Sequence, residues 1–218
     1  MAELDLFSGY PEPKEPRIVG PALRTIENRI AASKRGKEFY DGDRINGYGG
    51  MKDDGRWAPI AQHIKDTYNP ETVLQVGAHK GFLVNELCKL GIKAVGTEPS
   101  GYARRHSPVA LRKAPFIRQP FQDKDFDLVI GASCVYTLNL PDAIKCLKEL
   151  QRVANRAWIT LAAAETPEEI MMLRYWFLIG TTILKKEEWL KVMEHAGYTG
   201  DYRFDTAEYL NLRLVELQ

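Results

Sequence analysis

Little in this chain speaks for a charged partner. Lysine plus arginine number 30 and aspartate plus glutamate 29, a formal net charge of +1. No broad field of one sign remains to draw in DNA, RNA or an anionic membrane surface, so no nucleic acid and no membrane is expected as partner. Cysteine is scarce: the three residues Cys88, Cys134 and Cys146 do not pair evenly and lack the spacing of a zinc site. They read as reduced thiols in a cytoplasmic protein, with no metal. Long apolar runs are missing too, the longest falling far short of the ~20 residues that span a bilayer. The stretch 171–180 carries Arg174 and reads as a buried helix. The opening MAELD has neither the basic region nor the apolar core of a signal peptide. A chain of 218 residues suits one α/β domain with a short extension.

What is present begins with VLQVGAHKG at 73–81, followed seventeen residues past Gly81 by Glu98, which ends a second apolar run, AVGTE at 94–98. An apolar run, a glycine turn, a helix, another apolar run and a carboxylate make a nucleotide-binding unit. Glycine lets the turn bend sharply and approach a ligand closely. The following helix offers free N–H groups and a partial positive charge. An acid roughly twenty residues after the turn can accept hydrogen bonds from both hydroxyls of a ribose. The glycines, Gly77 and Gly81, are spaced G-x-x-x-G with His79 between them, which breaks the dinucleotide pattern G-x-G-x-x-G and disfavours a nicotinamide enzyme.

At these residues the chain resembles the class I S-adenosylmethionine-dependent methyltransferases, of the bacterial small-molecule type. Gly77, Gly81 and Glu98 match the family's first motif and its ribose-binding acid. PFQDKDFDLVIG at 120–131 is similar to the loop into the family's fourth strand, and LKELQRV at 147–153 to the helix before its fifth. DGDRINGYGG at 41–50 and DGRW at 54–57 resemble a segment that precedes motif I in some of these enzymes. The resemblance covers roughly residues 40 to 205. It implies S-adenosyl-L-methionine as cofactor and in-line methyl transfer to an oxygen, nitrogen or carbon of a small-molecule acceptor. It also implies a cofactor site of Gln75, Gly77, Ala78, His79, Gly81, Glu98, Pro99 and Ser133. Gln75 stands where the family usually has an acid, His79 replaces a glycine, and 114–119 lacks the adenine-binding acid. A degenerate relative, binding a cofactor or a partner without turnover, is therefore the rival reading.

Strands alternate with helices along the chain, which argues for a parallel sheet covered on both faces. Strands are expected at 72–76, 93–97, about 114–118, 126–132 and 156–162, then at about 199–204 and 209–215. Helices are expected at 21–40, 57–68, 81–90, 102–105, 141–153, 167–178 and 186–196. The expected fold is a Rossmann-like methyltransferase sandwich with a seven-stranded sheet and an antiparallel C-terminal edge. Residues 1–40 read as an N-terminal arm and helix, 41–218 as the cofactor-binding domain. Pro11, Pro13 and Pro16 mark residues 1–20 as an extended or disordered arm, long enough to wrap a second subunit, so a homo-oligomer stays open.

Catalytic candidates are Tyr136, to orient or deprotonate an acceptor, and His79, as base or cover over the cofactor. Each has a bland alternative: Tyr136 as a half-buried packing ring, His79 as a neutral surface histidine. Arg56, beside the glycine-rich loop, can pair with a cofactor carboxylate bidentately. Trp57 and Tyr48 can face a sulfonium or simply pack. Trp176 and Trp189 read as core, although Trp176 can also line an acceptor pocket.

Overall fold

The computed structural model describes residues 1–8 and 15–215. In chain order the strands are β1 (Arg17–Val19), β2 (Thr72–Val76), β3 (Lys93–Thr97), β4 (Leu111–Arg112), β5 (Phe126–Gly131), β6 (Ala154–Ala162), β7 (Asp201–Asp205) and β8 (Leu212–Leu214). The helices are α1 (Ile26–Ser33), α2 (Lys37–Asp41), α3 (Trp57–Tyr68), α4 (Phe82–Lys89), α5 (Gly101–Arg105), α6 (Leu140–Val153), α7 (Pro167–Trp176) and α8 (Lys186–Ala196).

Local chemistry sets many of these ends. Asn139 caps α6 by accepting from Asp142 N at 3.0 Å, and Pro141 fills the first turn where no N–H is needed. Thr166 and Glu169 form a reciprocal capping box on α7. Gly197, at φ +66°, stops α8 in the left-handed conformation that glycine adopts at no steric cost.

The main sheet has the order β4-β3-β2-β5-β6-β7, and every pairing in it is parallel. Its near-continuous apolar strands are buried on both faces. One face carries Val129, Ile159 and Leu161 under α6 and α8. The other carries Val73, Leu128 and Trp158 under α3 and α4. The chain order reverses between β2 and β5, the switch point beside which such sheets bind ligands.

The Rossmann-like fold is as expected, with three corrections. The sheet has six strands rather than seven, and it has no antiparallel C-terminal edge among the described residues. The far edge of β7 is taken instead by the N-terminus: Leu4 N donates to Tyr202 O at 2.8 Å, and Tyr202 N to Ala2 O at 3.0 Å. β8 consequently pairs elsewhere, parallel to β1 in a separate two-stranded ribbon.

The described part of the N-terminal segment is therefore no loose arm. Leu6 is fully buried, Trp158 Nε1 donates to Leu4 O at 2.8 Å, and Asp5 pairs with Arg203 at 2.7 Å. Residues 9–14, with Pro11 and Pro13, lie outside the described residues.

The third strand is only Leu111–Arg112, because Pro115 and Pro120 lack the N–H a ladder needs at 114–118. The helix expected over 21–40 is two helices, parted at Arg35 (φ +45°) and Gly36. No helix among the described residues is long and apolar enough to cross a membrane.

Candidate active site

The turn after β2 is built on backbone that favours glycine. Gly77 has φ +73° and Gly81 φ +72°, and a Cβ on Gly77 would sit 3.3 Å from the Phe116 ring. Gly77 N and Ala78 N both donate to Thr97 O, at 2.9 and 3.0 Å, so the turn is tied to the end of β3. His79 also lies at positive φ, +52°, an uncommon place for a side chain. Its amide donates to Glu98 Oε2 at 2.9 Å.

Glu98 is fully buried at the tip of β3. Its Oε1 accepts from Ser100 N at 2.8 Å and from the Tyr40 phenol at 3.4 Å, long for an O–H···O bond. Burial raises its pKa, and the two backbone donors oppose that rise.

Tyr40, on α2, thus stands over the carboxylate. It stacks between Tyr48 and Tyr102, with centroids at 5.9 and 6.2 Å. His79 packs edge-on to Tyr40 and Tyr48. α2 is latched to the turn, since Lys80 Nζ contacts both Asp41 oxygens at 2.6 and 2.7 Å and Met51 O at 2.9 Å. Tyr102 donates to the same carboxylate at 2.7 Å. Arg35 lies over Phe116 and donates to Thr137 Oγ1 at 3.2 Å.

Two buried polar atoms at the turn have no partner, Gln75 Oε1 and His79 Nδ1. Native structures seldom leave such groups unsatisfied, so each calls for a water or a ligand as its partner. Burial, then the Arg35 charge, lowers the His79 pKa to about 4, so the imidazole is neutral at pH 7.

Gln75 and His79 face a cleft of about 940 Å³ across the carboxyl ends of the strands. Ser133 and Tyr136 line it as well. Ser133, at φ +56°, anchors its amide on Thr160 Oγ1 at 2.9 Å. Tyr136 is buried against Phe177, with centroids 4.6 Å apart. Burial, and then the Asp205 charge, holds its phenol well above its ordinary pKa. A phenol held so high keeps its proton at neutral pH, which speaks against the reading of Tyr136 as a base.

The sequence-derived residues divide by place. Gly77, Ala78, His79 and Gly81 form one turn, and Glu98 closes on it. Pro99 lies in the link to α5. Arg56 lines the cleft and pairs with Asp54.

Sequence reasoning missed four features: Tyr40 over Glu98, the Asp41–Lys80 latch, the buried Asp205–Arg203 pair at 2.6 Å, and a group of arginines around Trp176. Lys80 stood inside the quoted turn and Asp41 began the quoted upstream segment, so a charge pair between them was there to be noticed. Asp205 ends β7 on the same rim as Glu98 ends β3. No cluster of histidine, cysteine or acids that could hold a metal occurs among the described residues.

Residues 74–157 match the methyltransferase domain family. No curated protein sequence matches the chain. Solved structures share the fold. A proposed methyltransferase from Bacillus halodurans is 19% identical at a TM-score of 0.53, over 64% of this chain and 68% of its own. A SAM-dependent methyltransferase from Archaeoglobus fulgidus is 18% identical at 0.53, over 74% and 72%. The proposed methyltransferase complexed with the Trm112 methyltransferase activator of Haloferax volcanii is 17% identical at 0.50, over 68% and 77%. The motif turn and the strand-end acid lie in or beside the residues that match the methyltransferase domain family, and the sheet belongs to a fold shared with S-adenosylmethionine-dependent methyltransferases.

Proposed function

We propose that this protein binds S-adenosyl-L-methionine on the turn 77–81 and transfers its methyl group to a small molecule in the adjoining cleft. The observation that carries this reading is the pair of orphaned atoms, Gln75 Oε1 and His79 Nδ1, buried beside a glycine turn and a strand-end carboxylate. An amide oxygen takes a hydrogen bond from an ammonium group, and Glu98 suits a ribose diol. The residues therefore fit the cofactor at its methionine and ribose ends.

When bound, the cofactor supplies a methyl group already activated on sulfonium, so what the chain adds is alignment and exclusion of water. Gln75 and Glu98 hold the two ends. Ser133 and the protonated Tyr136 offer hydroxyl groups to orient an acceptor. The aromatic faces of Tyr48 and Trp57 flank the cleft.

One feature favours the rival, a fold-keeper without turnover: the Tyr40 phenol occupies the place where a ribose hydroxyl would meet Glu98. On the catalytic reading, α2 swings aside when the cofactor enters, and the latch to Lys80 sets how often. This pair is mostly buried, with Lys80 8% and Asp41 25% exposed, so it is worth more than an exposed ion pair.

Asp41→Asn is expected to raise the association rate of S-adenosylmethionine about tenfold, as a loss of about 1.4 kcal/mol from the opening barrier would do. Stopped-flow and calorimetric titration with S-adenosylmethionine and S-adenosylhomocysteine read this out. An unchanged rate would remove α2 as the gate. No binding to either wild type or variant would leave the rival.

A further inference from the structure

The cleft is walled by aromatic rings well beyond what the composition gives. Phenylalanine, tyrosine and tryptophan make up 10% of the chain but eight of the 31 residues that line the opening, about a quarter. Six of them form three touching pairs drawn from distant parts of the sequence. Phe7, on the N-terminal segment, meets Trp57 at the start of α3 edge-on, with centroids 6.3 Å apart. Phe39, on α2, meets Tyr48 in the glycine-rich loop at 5.1 Å, also edge-on. Tyr136, after β5, meets Phe177, after α7, at 4.6 Å.

All six line one opening of about 940 Å³, so the pairs do not fill it. Phe7, Tyr48, Trp57 and Phe177 are only half-buried, and part of their apolar surface meets water. Apolar surface held against water is unfavourable, so a ligand that covers it is favoured. Openings of this size take drug-sized molecules.

Two kinds of ligand suit such walls. Flat rings meet other rings edge-on or offset-stacked, and cations sit over ring faces. The charges of the cleft separate the two. Six arginine and lysine residues line it against four aspartate and glutamate residues, which disfavours a cationic ligand. The Trp176 ring already carries arginines of the chain itself, with Arg17 and Arg44 each 4.8 Å from its centroid.

We infer that the acceptor is a flat aromatic molecule without positive charge, held among these ring pairs with the group to be methylated beside Ser133 and Tyr136. Tyr136 belongs to one of the pairs, so a ring laid against Phe177 lies beside that phenol. Rigid aromatic side chains also lose little conformational freedom when a ligand seats on them. Naming this molecule as the acceptor rests on the methyl-transfer reading; the seating of a flat ring in the cleft does not.

The test titrates the full chain by calorimetry with 2-naphthol, with its saturated counterpart decahydro-2-naphthol, and with methyl glucoside. The saturated compound has the same skeleton and more apolar surface but is puckered, so indiscriminate hydrophobic capture makes it the tighter binder. The expected result is 2-naphthol binding at least about tenfold tighter than either of the others. Trp57→Leu and Phe177→Leu are each expected to weaken it about fivefold. Phe121→Leu changes a ring outside the cleft and keeps wild-type affinity. Thermal melts confirm that the variants fold, and either cleft variant alone suffices for the comparison. Equal or tighter binding of the saturated compound or of the sugar overturns the aromatic class. So does 2-naphthol affinity that is unchanged in the cleft variants, or lowered equally in Phe121→Leu. S-Adenosylhomocysteine titrated into the same proteins separates the two ideas. 2-Naphthol binding without it keeps the aromatic site and removes methyl transfer; S-adenosylhomocysteine binding without 2-naphthol binding does the reverse.

Discussion

Glu98→Ala is expected to weaken S-adenosylmethionine binding a hundredfold or more, and Glu98→Gln about tenfold. The reasoning starts from a carboxylate that is buried, fixed by the backbone of His79 and Ser100, and placed at the tip of β3. A hydrogen bond to a charged group contributes roughly 1.5–3 kcal/mol, and a ribose diol offers two. Losing both costs about 3–6 kcal/mol, or roughly two to four powers of ten in affinity. Glutamine keeps one acceptor oxygen and loses the charge.

The same substitution also bares two backbone N–H groups in the unliganded protein, at about 1–3 kcal/mol each. The alanine variant should therefore melt well below wild type, and the glutamine variant between the two. Calorimetry at a temperature where all three are folded isolates the binding effect. Wild-type affinity in Glu98→Ala would mean that the acid only clamps the loop, and the ribose site would have to lie elsewhere.

The second large effect is on stability in mild acid. The imidazole of His79 is held at about 4 in the folded chain against an ordinary value near 6.5. Above pH 6.5 neither state takes the proton, and the contribution is fully present. As the pH falls from 6.5 toward 4, the unfolded chain gains a proton that the folded one refuses, and stability is lost. The full span amounts to about 3 kcal/mol at 1.36 kcal/mol per unit.

Glu98 works in the opposite sense, because its raised pKa makes the folded state the better proton acceptor in acid. The informative quantity is therefore the difference between wild type and His79→Asn, asparagine tolerating the left-handed backbone there. Urea unfolding at pH 7 and 4.5 should show wild type losing about 2.5 kcal/mol more than the variant. Equal losses would mean that the ring is not held neutral.

Much of the site's frame was legible because it depends on short-range pattern. The strands at 72–76 and 93–97 are apolar runs bounded by turn residues, and both form as expected. The spacing from Gly77 to Glu98 fixes a strand-turn-helix-strand unit whatever the rest of the chain does. The failures share a cause of the opposite kind. The final strands, coming in succession, fitted the antiparallel edge that the resemblance implies, but the edge of β7 is taken by residues 2–4 from the other end of the chain. Tyr40 meets Glu98 across 58 positions. The arginines around Trp176 come from β1, the turn before α1 and the segment after α2, while the ring they surround lies far along the chain on α7. The prolines of the N-terminal segment were read as looseness, yet Leu6 and Trp158 secure its first residues.

The fastening of residues 2–6 onto β7 also has a bearing on synthesis. Ala2 and Asp201, joined through a hydrogen bond, are 199 positions apart. At roughly 5–20 residues per second, the early segment waits about 10–40 s on the ribosome for its partner strand. Until then Trp158 lacks its cover, and Leu6 has no core to enter. Once β7 is made, its outer row of backbone groups lies open to any passing strand until the waiting segment arrives. The order of translation thus leaves this seam among the last parts of the sheet that are able to close.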